Sequence, residues 1–310
     1  MLKTAAIRLT MLFASLLAGC GGRSPTGWTF SVPPTYANVP YASASSVEML
    51  DIYLPQGNGP FPVIVYIHGG GWRLGHKGMV VETLGKALLQ AGYAIASLDY
   101  RLSNGATFPA AVLDIKAATR FLRFNAAQYH LDPNRFAAMG ESAGGNLAAM
   151  LGVSGDLSAY DDPALGNPGV SSRVQAVIDW YGPVFFSLMD NQGKAQGCAP
   201  RYLKHSTPGS FESLYLGGAL ARVPDLVKQA SPLSYITSDD PPFLVQQGDQ
   251  DCAVPAAQSQ MLVDALKASG VEVQYTLLHG GGHGDSDGLP VYQSPENIQL
   301  VLLFLKSKLK

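Results

Sequence analysis

The chain has 310 residues, 47% of them hydrophobic, and a formal net charge of −2. That length suits one large domain or two small ones, with enough apolar residues for a substantial core. Charge is nearly balanced and no basic run occurs, which argues against a nucleic-acid-binding surface. Past the N-terminus no stretch is long and apolar enough to span a bilayer.

The first element in chain order is a leader. In MLKTAAIRLTMLFASLLAGC, Lys3 and Arg8 precede an apolar stretch of about ten residues and then small residues, the pattern of a secretory signal. Leu17-Ala18-Gly19-Cys20 resembles the bacterial lipobox, in which small residues admit a peptidase and the cysteine thiol accepts an anchoring lipid. The expectation is a lipoprotein signal over residues 1–19, lipidation at Cys20, and a tether and N-terminal arm over 20–44. An ordinary cleaved signal with a chance cysteine is the alternative. Gly21 stands where an Asp often marks inner-membrane retention, which favours the outer membrane within a bacterial cell envelope. Removing residues 1–19 turns 21 basic residues into 19 against 23 acidic ones, so the charge goes from −2 to −4. Cys198 and Cys252 are then the cysteines left beyond Cys20; export favours a disulfide between them, the alternative being two buried thiols.

The body, residues 45–310, alternates strand and helix patterns. Residues 48–55 (EMLDIYLP) alternate like an edge strand, and residues 61–70 (FPVIVYIHGG) are a β-branched run ending in glycines. A helical segment near 80–91 leads to Gly92 and to a strand pattern over 93–100. Over 108–129, Val112, Ile115, Ala118, Phe121 and Leu122 fall on one helix face. A strand over 135–140 runs into Gly140-Glu141-Ser142-Ala143-Gly144, followed by a helix to about residue 152. Further buried strands are read at 174–182 and 241–251, a helix at 256–269, the last strand at 271–280 and a closing helix at 295–309. Such alternation implies a mostly parallel sheet covered on both faces. Residues 183–240, rich in Pro, Gly and polar residues, break the rhythm and read as a cap insertion over one end of the sheet.

Gly-x-Ser-x-Gly between a strand and a helix is the pattern of a nucleophile elbow. The turn is sharp, so positions two before and two after Ser142 have no room for a side chain, and the helix N-terminus aims its amides at negative charge. His68-Gly69-Gly70-Gly71-Trp72 follows another strand. Its glycines let backbone N–H groups face a ligand oxygen, so Gly70, Gly71 and Ala143 are candidate oxyanion donors, with His68 holding the loop. A phosphate cradle is disfavoured, because no Gly-Lys-Ser/Thr or Gly-x-Gly-x-x-Gly pattern follows.

A serine needs a base, and the base an orienting carboxylate. Of six histidines, His279 and His283 lie just past the last strand; His283, further out in a glycine-rich loop, is favoured over His279. Chain order then asks for an acid at a strand end between Ser142 and His283. Asp251 is favoured, Asp249 being read as a turn former.

These segments together resemble the HGGG-type serine esterases of the α/β-hydrolase fold, the hormone-sensitive-lipase-like and xylan/feruloyl-esterase-like group. The resemblance runs over about residues 45 to 308, through HGGGW, DYRL, FPAAVLDIKAATRFLR, GESAGGNLA, DWYGP, SPLSYITSDDPPFLVQQGDQDCAVP and GGGHG. It implies an α/β-hydrolase fold, a Ser142–His283–Asp251 triad, and oxyanion donation by Gly70, Gly71 and Ala143. It also implies hydrolysis of short acyl esters, with acetyl or feruloyl esters of plant polysaccharides as candidates. Glu141 stands where many relatives have Asp, and Gln247 where relatives often have His; Gln247 is read as a packing residue. No organic cofactor is implied, and no His/Cys/Asp cluster has metal-ligand spacing.

Asp99 and Arg101 are read as scaffolding, paired with each other or with Asp114, and Trp180 and Tyr181 as core. Trp72 is a candidate lining of the substrate pocket. Phe185, Phe186, Tyr202 and Tyr215 are cap candidates for the same role, and a Cys198–Cys252 bridge would stiffen the acid loop. The competing functions are an amide-acting relative (a peptidase or arylformamidase) and a non-catalytic surface lipoprotein that keeps the fold.

Overall fold

The computed structural model describes residues 29–155, 157–285 and 288–310; the signal-peptide and Cys20 expectations lie outside the described residues. Eight strands form one sheet in the order β1-β2-β4-β3-β5-β6-β7-β8. They are β1 Tyr36–Pro40, β2 Met49–Tyr53, β3 Phe61–Ile67, β4 Ala94–Leu98, β5 Leu131–Glu141, β6 Ala176–Trp180, β7 Phe243–Gly248 and β8 Val273–Leu278. β3 to β8 run parallel to one another, while β1 and β2 are joined antiparallel at one end. A parallel sheet buried on both faces needs continuous apolar runs rather than alternation. The segments FPVIVYI, AIASL and AVIDW supply them, with nearly every residue buried.

Two hydrophobic layers sandwich the sheet. On one face Val63, Val65 and Ile67 pack with Val112 and Ile115 of α2 (Ala110–Phe124), Leu147 of α3 (Ala143–Val153) and Leu262 of α7 (Ala257–Ala268). On the other, Ile64 and Tyr66 pack with Leu84 and Leu88 of α1 (Glu82–Gln90) and Val301 and Leu305 of α8 (Pro295–Lys308). Every residue of α3 is buried, so its sequence AGGNLAAMLGV has no polar face to show.

The structure differs from the sequence expectations in four places. Residues 48–55 were expected at the sheet edge, but β2 is buried from Leu50 to Tyr53 because β1 lies outside it. β1 comes from the segment read as tether and arm. It is short and irregular: Asn38 has φ 53° and its N–H donates to Asp51 Oδ1 at 2.7 Å, so no alternation marks it as a strand. The cap is not irregular throughout but contains α4 Met189–Gln196, α5 Phe211–Leu216 and α6 Pro224–Gln229. Gly197 and Gly217 end α4 and α5 in the left-handed conformation, so each helix is too short to show a 3.6-residue pattern. Finally, Asp99 and Arg101 do not pair with each other. Arg101 Nη2 lies 2.6 Å from buried Asp114, as allowed, whereas Asp99 accepts the Lys77 N–H at 2.6 Å.

The cap shares the main core: Phe186, Met189, Tyr215, Leu220 and Val227 belong to the same buried cluster as β3 and α3. Because β3, β5, β6, β7 and β8 are parallel, their carboxyl ends meet on one rim, where open α/β sheets place their ligand sites.

Candidate active site

Ser142 follows β5 directly and begins α3, with φ 55° and ψ −122°. This strained conformation is over-determined by its neighbours. The Ser142 N–H donates to Trp180 O at 2.9 Å, and Ser142 O accepts from the Asn146 N–H at 3.1 Å. A Cβ at Gly140 would sit 2.1 Å from Gly144 O, and one at Gly144 would sit 2.1 Å from Ile67 O. The flanking glycines therefore leave room for backbone to pass, as the motif implied.

The elbow lifts Ser142 Oγ to 2.9 Å from His283 Nε2, and His283 Nδ1 lies 2.9 Å from Asp251 Oδ2. An ionised carboxylate only accepts, so Nδ1 carries the proton and Nε2 is left to accept from the serine hydroxyl. Asp251 is fully buried and well supplied with donors. Its Oδ1 accepts the N–H groups of Ala253 at 2.9 Å and Val254 at 2.8 Å. Its Oδ2 also accepts Gln247 Nε2 at 3.1 Å. Gln247 in turn donates to Val254 O at 3.1 Å and accepts the Ser259 hydroxyl at 2.8 Å. It is therefore a polar clamp on the carboxylate rather than the packing residue expected. The one signal in the sequence was its position, immediately before the glycine of the acid loop.

The rejected pair forms a unit of its own. His279 Nδ1 lies 2.9 Å from Asp249 Oδ2, and Asp249 Oδ1 accepts the Gly280 N–H at 2.8 Å, but the His279 side chain is 85% exposed. It points away from Ser142 because it sits one residue beyond β8, before the loop that carries His283 over the rim.

The glycine loop lies against the elbow. Gly70 and Gly71 have φ 108° and 59°, and Gly70 O accepts the N–H groups of Arg73 and Leu74. Their own N–H groups donate to no other described residue, and the Ala143 amide is an orphan donor at a helix N-terminus. His68 braces the loop: its Nδ1 lies 2.7 Å from Gly69 O and its ring stacks on Tyr100 at 4.4 Å. Burial pushes the His68 imidazole down to about 4, so it is neutral near pH 7.

A cavity of about 790 Å³ joins these parts; Gly70, Gly71, Trp72, Ser142, Ala143 and His283 all line it. Trp72 is nonetheless 1% exposed and stacks on Tyr215, rings 4.5 Å apart and 7° from parallel, with Phe186 at 5.2 Å. It joins the glycine loop to the cap while offering little surface to a ligand. Of the four cap aromatics, Tyr202 lines the cavity, whereas Phe186 and Tyr215 are buried behind Trp72. Trp180 is core, its Nε1 donating to Gln246 Oε1 at 2.6 Å. Tyr181 is more than core. Its ring edge meets the His283 ring at 4.8 Å, and its hydroxyl donates to Glu141 Oε2 at 3.0 Å, so it wedges the imidazole in place. Burial raises the Glu141 carboxyl, and the bonds from Tyr181 and Tyr66 and the charge of His283 hold it back. Among the described residues, no group of three or more His, Cys, Asp or Glu side chains is placed to hold a metal ion.

Cys198 and Cys252 are joined, tying the end of α4 to the residue next to Asp251. Gln196 reinforces the tie: its Nε2 donates to Asp251 O at 2.7 Å and its Oε1 accepts the Ala256 N–H at 3.0 Å.

A family model described as BD-FAE matches residues 50–266. The chain belongs to this family of α/β-hydrolase esterases. Among curated relatives of this BD-FAE chain, Esterase LipQ of Mycobacterium tuberculosis is 32% identical over 254 residues, covering 80% of the chain and 56% of that protein. Isoprenylcysteine alpha-carbonyl methylesterase ICME of Arabidopsis thaliana is 29% identical over 244 residues, covering 76% of the chain and 53% of that protein. The chain thus spans about half the length of the curated relatives it matches. Among solved structures, a truncated form of a carbohydrate esterase from gut microbiota is 32% identical, with a TM-score of 0.78 over 92% of this chain and 99% of that one. An acetyl ester-xyloside bifunctional hydrolase from Caldicellulosiruptor lactoaceticus is 25% identical, with a TM-score of 0.63 over 84% and 87%. The fold of this BD-FAE member is the α/β-hydrolase fold.

Two predictions follow from the supports of the site. The Cys198–Cys252 bridge closes a loop with a sequence separation of 54, which chain entropy values at about 4 kcal/mol. Replacing both cysteines with alanine is expected to lower stability by about 2–4 kcal/mol in urea unfolding. The second concerns Asp179, buried at the end of β6 behind the elbow. Its Oδ1 accepts the Gly182 N–H at 2.8 Å, and its Oδ2 has no hydrogen-bond partner among the described residues. Burial pushes its carboxyl up to about 7, the Gly182 N–H offsetting part of the rise. The native state therefore holds this proton more tightly than the unfolded chain. Asp179 contributes a loss of stability as pH rises from about 4 through 7. Asp179→Asn is expected to flatten that part of the stability–pH curve by the order of a few kcal/mol, measured by denaturation at stepped pH.

Proposed function

We propose that this chain is a serine carboxylic-ester hydrolase that works through an acyl-enzyme. The observation that carries the reading is the unbroken relay Ser142 Oγ–His283 Nε2 and His283 Nδ1–Asp251 Oδ2, each link 2.9 Å, opening on the glycine loop. In the forward step His283 takes the Ser142 proton as Oγ attacks the ester carbonyl. The imidazolium is stabilised by Asp251, whose charge is held in place by two backbone amides and Gln247. Negative charge develops on the carbonyl oxygen where the amides of Gly70, Gly71 and Ala143 are free to donate. Such preorganised donors lower the barrier because they need no reorientation as the charge forms. His283 then protonates the departing alcohol, and water repeats the sequence on the acyl-enzyme.

Short acyl esters, including acetyl or feruloyl esters of plant polysaccharide fragments, are the proposed substrates. The names of the carbohydrate esterase and the acetyl ester-xyloside hydrolase support this class, as does a cavity wide enough for more than a small acyl group. We also infer from Leu17-Ala18-Gly19-Cys20 that the mature chain is lipid-anchored at Cys20 in a bacterial envelope.

Ser142→Ala is expected to lower kcat for 4-nitrophenyl acetate by about 10⁴ or more, with the circular dichroism spectrum and Tm retained. A variant that kept the activity would refute the acyl-enzyme. Cys20→Ser is expected to move the expressed protein from the membrane to the soluble fraction on cell fractionation.

A further inference from the structure

Arg201 and Lys204 line the same cavity as Ser142 and His283. Both are exposed, and neither lies within ion-pair distance of a described carboxylate. Carboxylates also line it, each with another partner on one oxygen: Glu212 is 2.8 Å from His205 Nδ1, Glu141 accepts from Tyr181, and Asp285 Oδ1 accepts the Tyr292 N–H at 3.1 Å, its Oδ2 having no partner among the described residues. Arg201 and Lys204 thus face the cavity with no described carboxylate paired to either of them.

The segment that carries them is built rather than loose. Cys198 anchors its start through the disulfide, and Asp190 accepts the N–H groups of His205 at 2.9 Å and Ser206 at 3.0 Å. Thr207 closes a turn on Lys204 O at 2.7 Å, and the Arg201 guanidinium lies over the Tyr202 ring at 4.6 Å. Arg201 Nη2 also donates to the Tyr202 hydroxyl at 3.4 Å, and the other N–H groups of a guanidinium held on an aromatic face remain available to an oxyanion.

The position also tells which part of an ester these groups would meet. Cys252 joins this segment to the residue beside Asp251. His205 is near enough to feel that carboxylate. Burial alone would lower its imidazole, yet the bond and charge of Glu212, with the charges of Asp190 and Asp251, raise it. The glycine loop and Leu74 also line the cavity. His283 hands its proton to the leaving alcohol, so the alcohol departs on the side of the acid and base.

We propose that Arg201 and Lys204 select esters whose alcohol portion carries a carboxylate, such as hydroxyl esters on a sugar acid or an acidic oligosaccharide. This rests on the esterase reading above. It adds a specificity element: cations that recruit an anionic leaving group while the acyl group sits at the glycine loop.

The test compares 4-acetoxybenzoate with its methyl ester, which share an acetyl group and differ in leaving-group charge. The quantity read is the ratio of kcat/KM for the carboxylate over the neutral ester, in wild type, in Arg201→Ala/Lys204→Ala and in Arg201→Glu/Lys204→Glu. The ratio is expected to fall by about tenfold in the alanine variant and further in the glutamate variant. Raising ionic strength is expected to lower it in wild type alone, since salt screens exposed charges. A ratio that is the same in all three proteins overturns the proposal while leaving the esterase reading intact. A wild type that hydrolyses neither ester in a Ser142-dependent manner overturns both.

Discussion

The close approach of α3 to β3 and β5 is the constraint from which the site follows. Gly144 passes Ile67 O and Gly140 passes Gly144 O at distances that admit no Cβ. That proximity forces Ser142 into a conformation rare for a residue with a side chain, raises its hydroxyl above the rim and leaves the Ala143 amide beside it. The glycine loop can then lie against the elbow, since a Cβ at Gly69 would meet Glu141 O at 2.9 Å. Packing density at one strand–helix junction thus sets the position of Ser142 and of the proposed oxyanion donors together.

Around that junction the polar groups are organised in layers. His283 is held on one nitrogen by Asp251, and Tyr181 packs against its ring. Asp251 is held by Gln247 and two amides, and Gln247 by Ser259 of α7. Each shell restricts the one inside it, so the relay geometry is inherited from the helix packed under the acid loop.

Much of this was legible in the sequence because it depends on local sterics and chain order. Ser142, Asp251 and His283 lie at the ends of runs whose β-branched content marks them as strands, and a parallel sheet brings such ends together. The choice of His283 over His279 rested on distance past the strand, and the second pair, with Asp249, lies at the surface. What was not legible depends on contacts that no periodicity reports. β1 is too short and bent to alternate, the cap helices are cut off by left-handed glycines, and Gln247 looks like any strand-end residue until Ser259 and Asp251 flank it. Tyr181 read as core because burial and contact with the imidazole demand the same kind of residue.

The attachment of the cap has a consequence for how a substrate gets in. It is sewn to the acid loop by a covalent bond and by both ends of the Gln196 amide, and its aromatic residues continue the main core through Trp72. A hinged cover would drag Asp251 out of register each time it opened. The entrance is therefore a fixed aperture, and admission is decided by the dimensions and charge of a standing doorway rather than by a gate that swings.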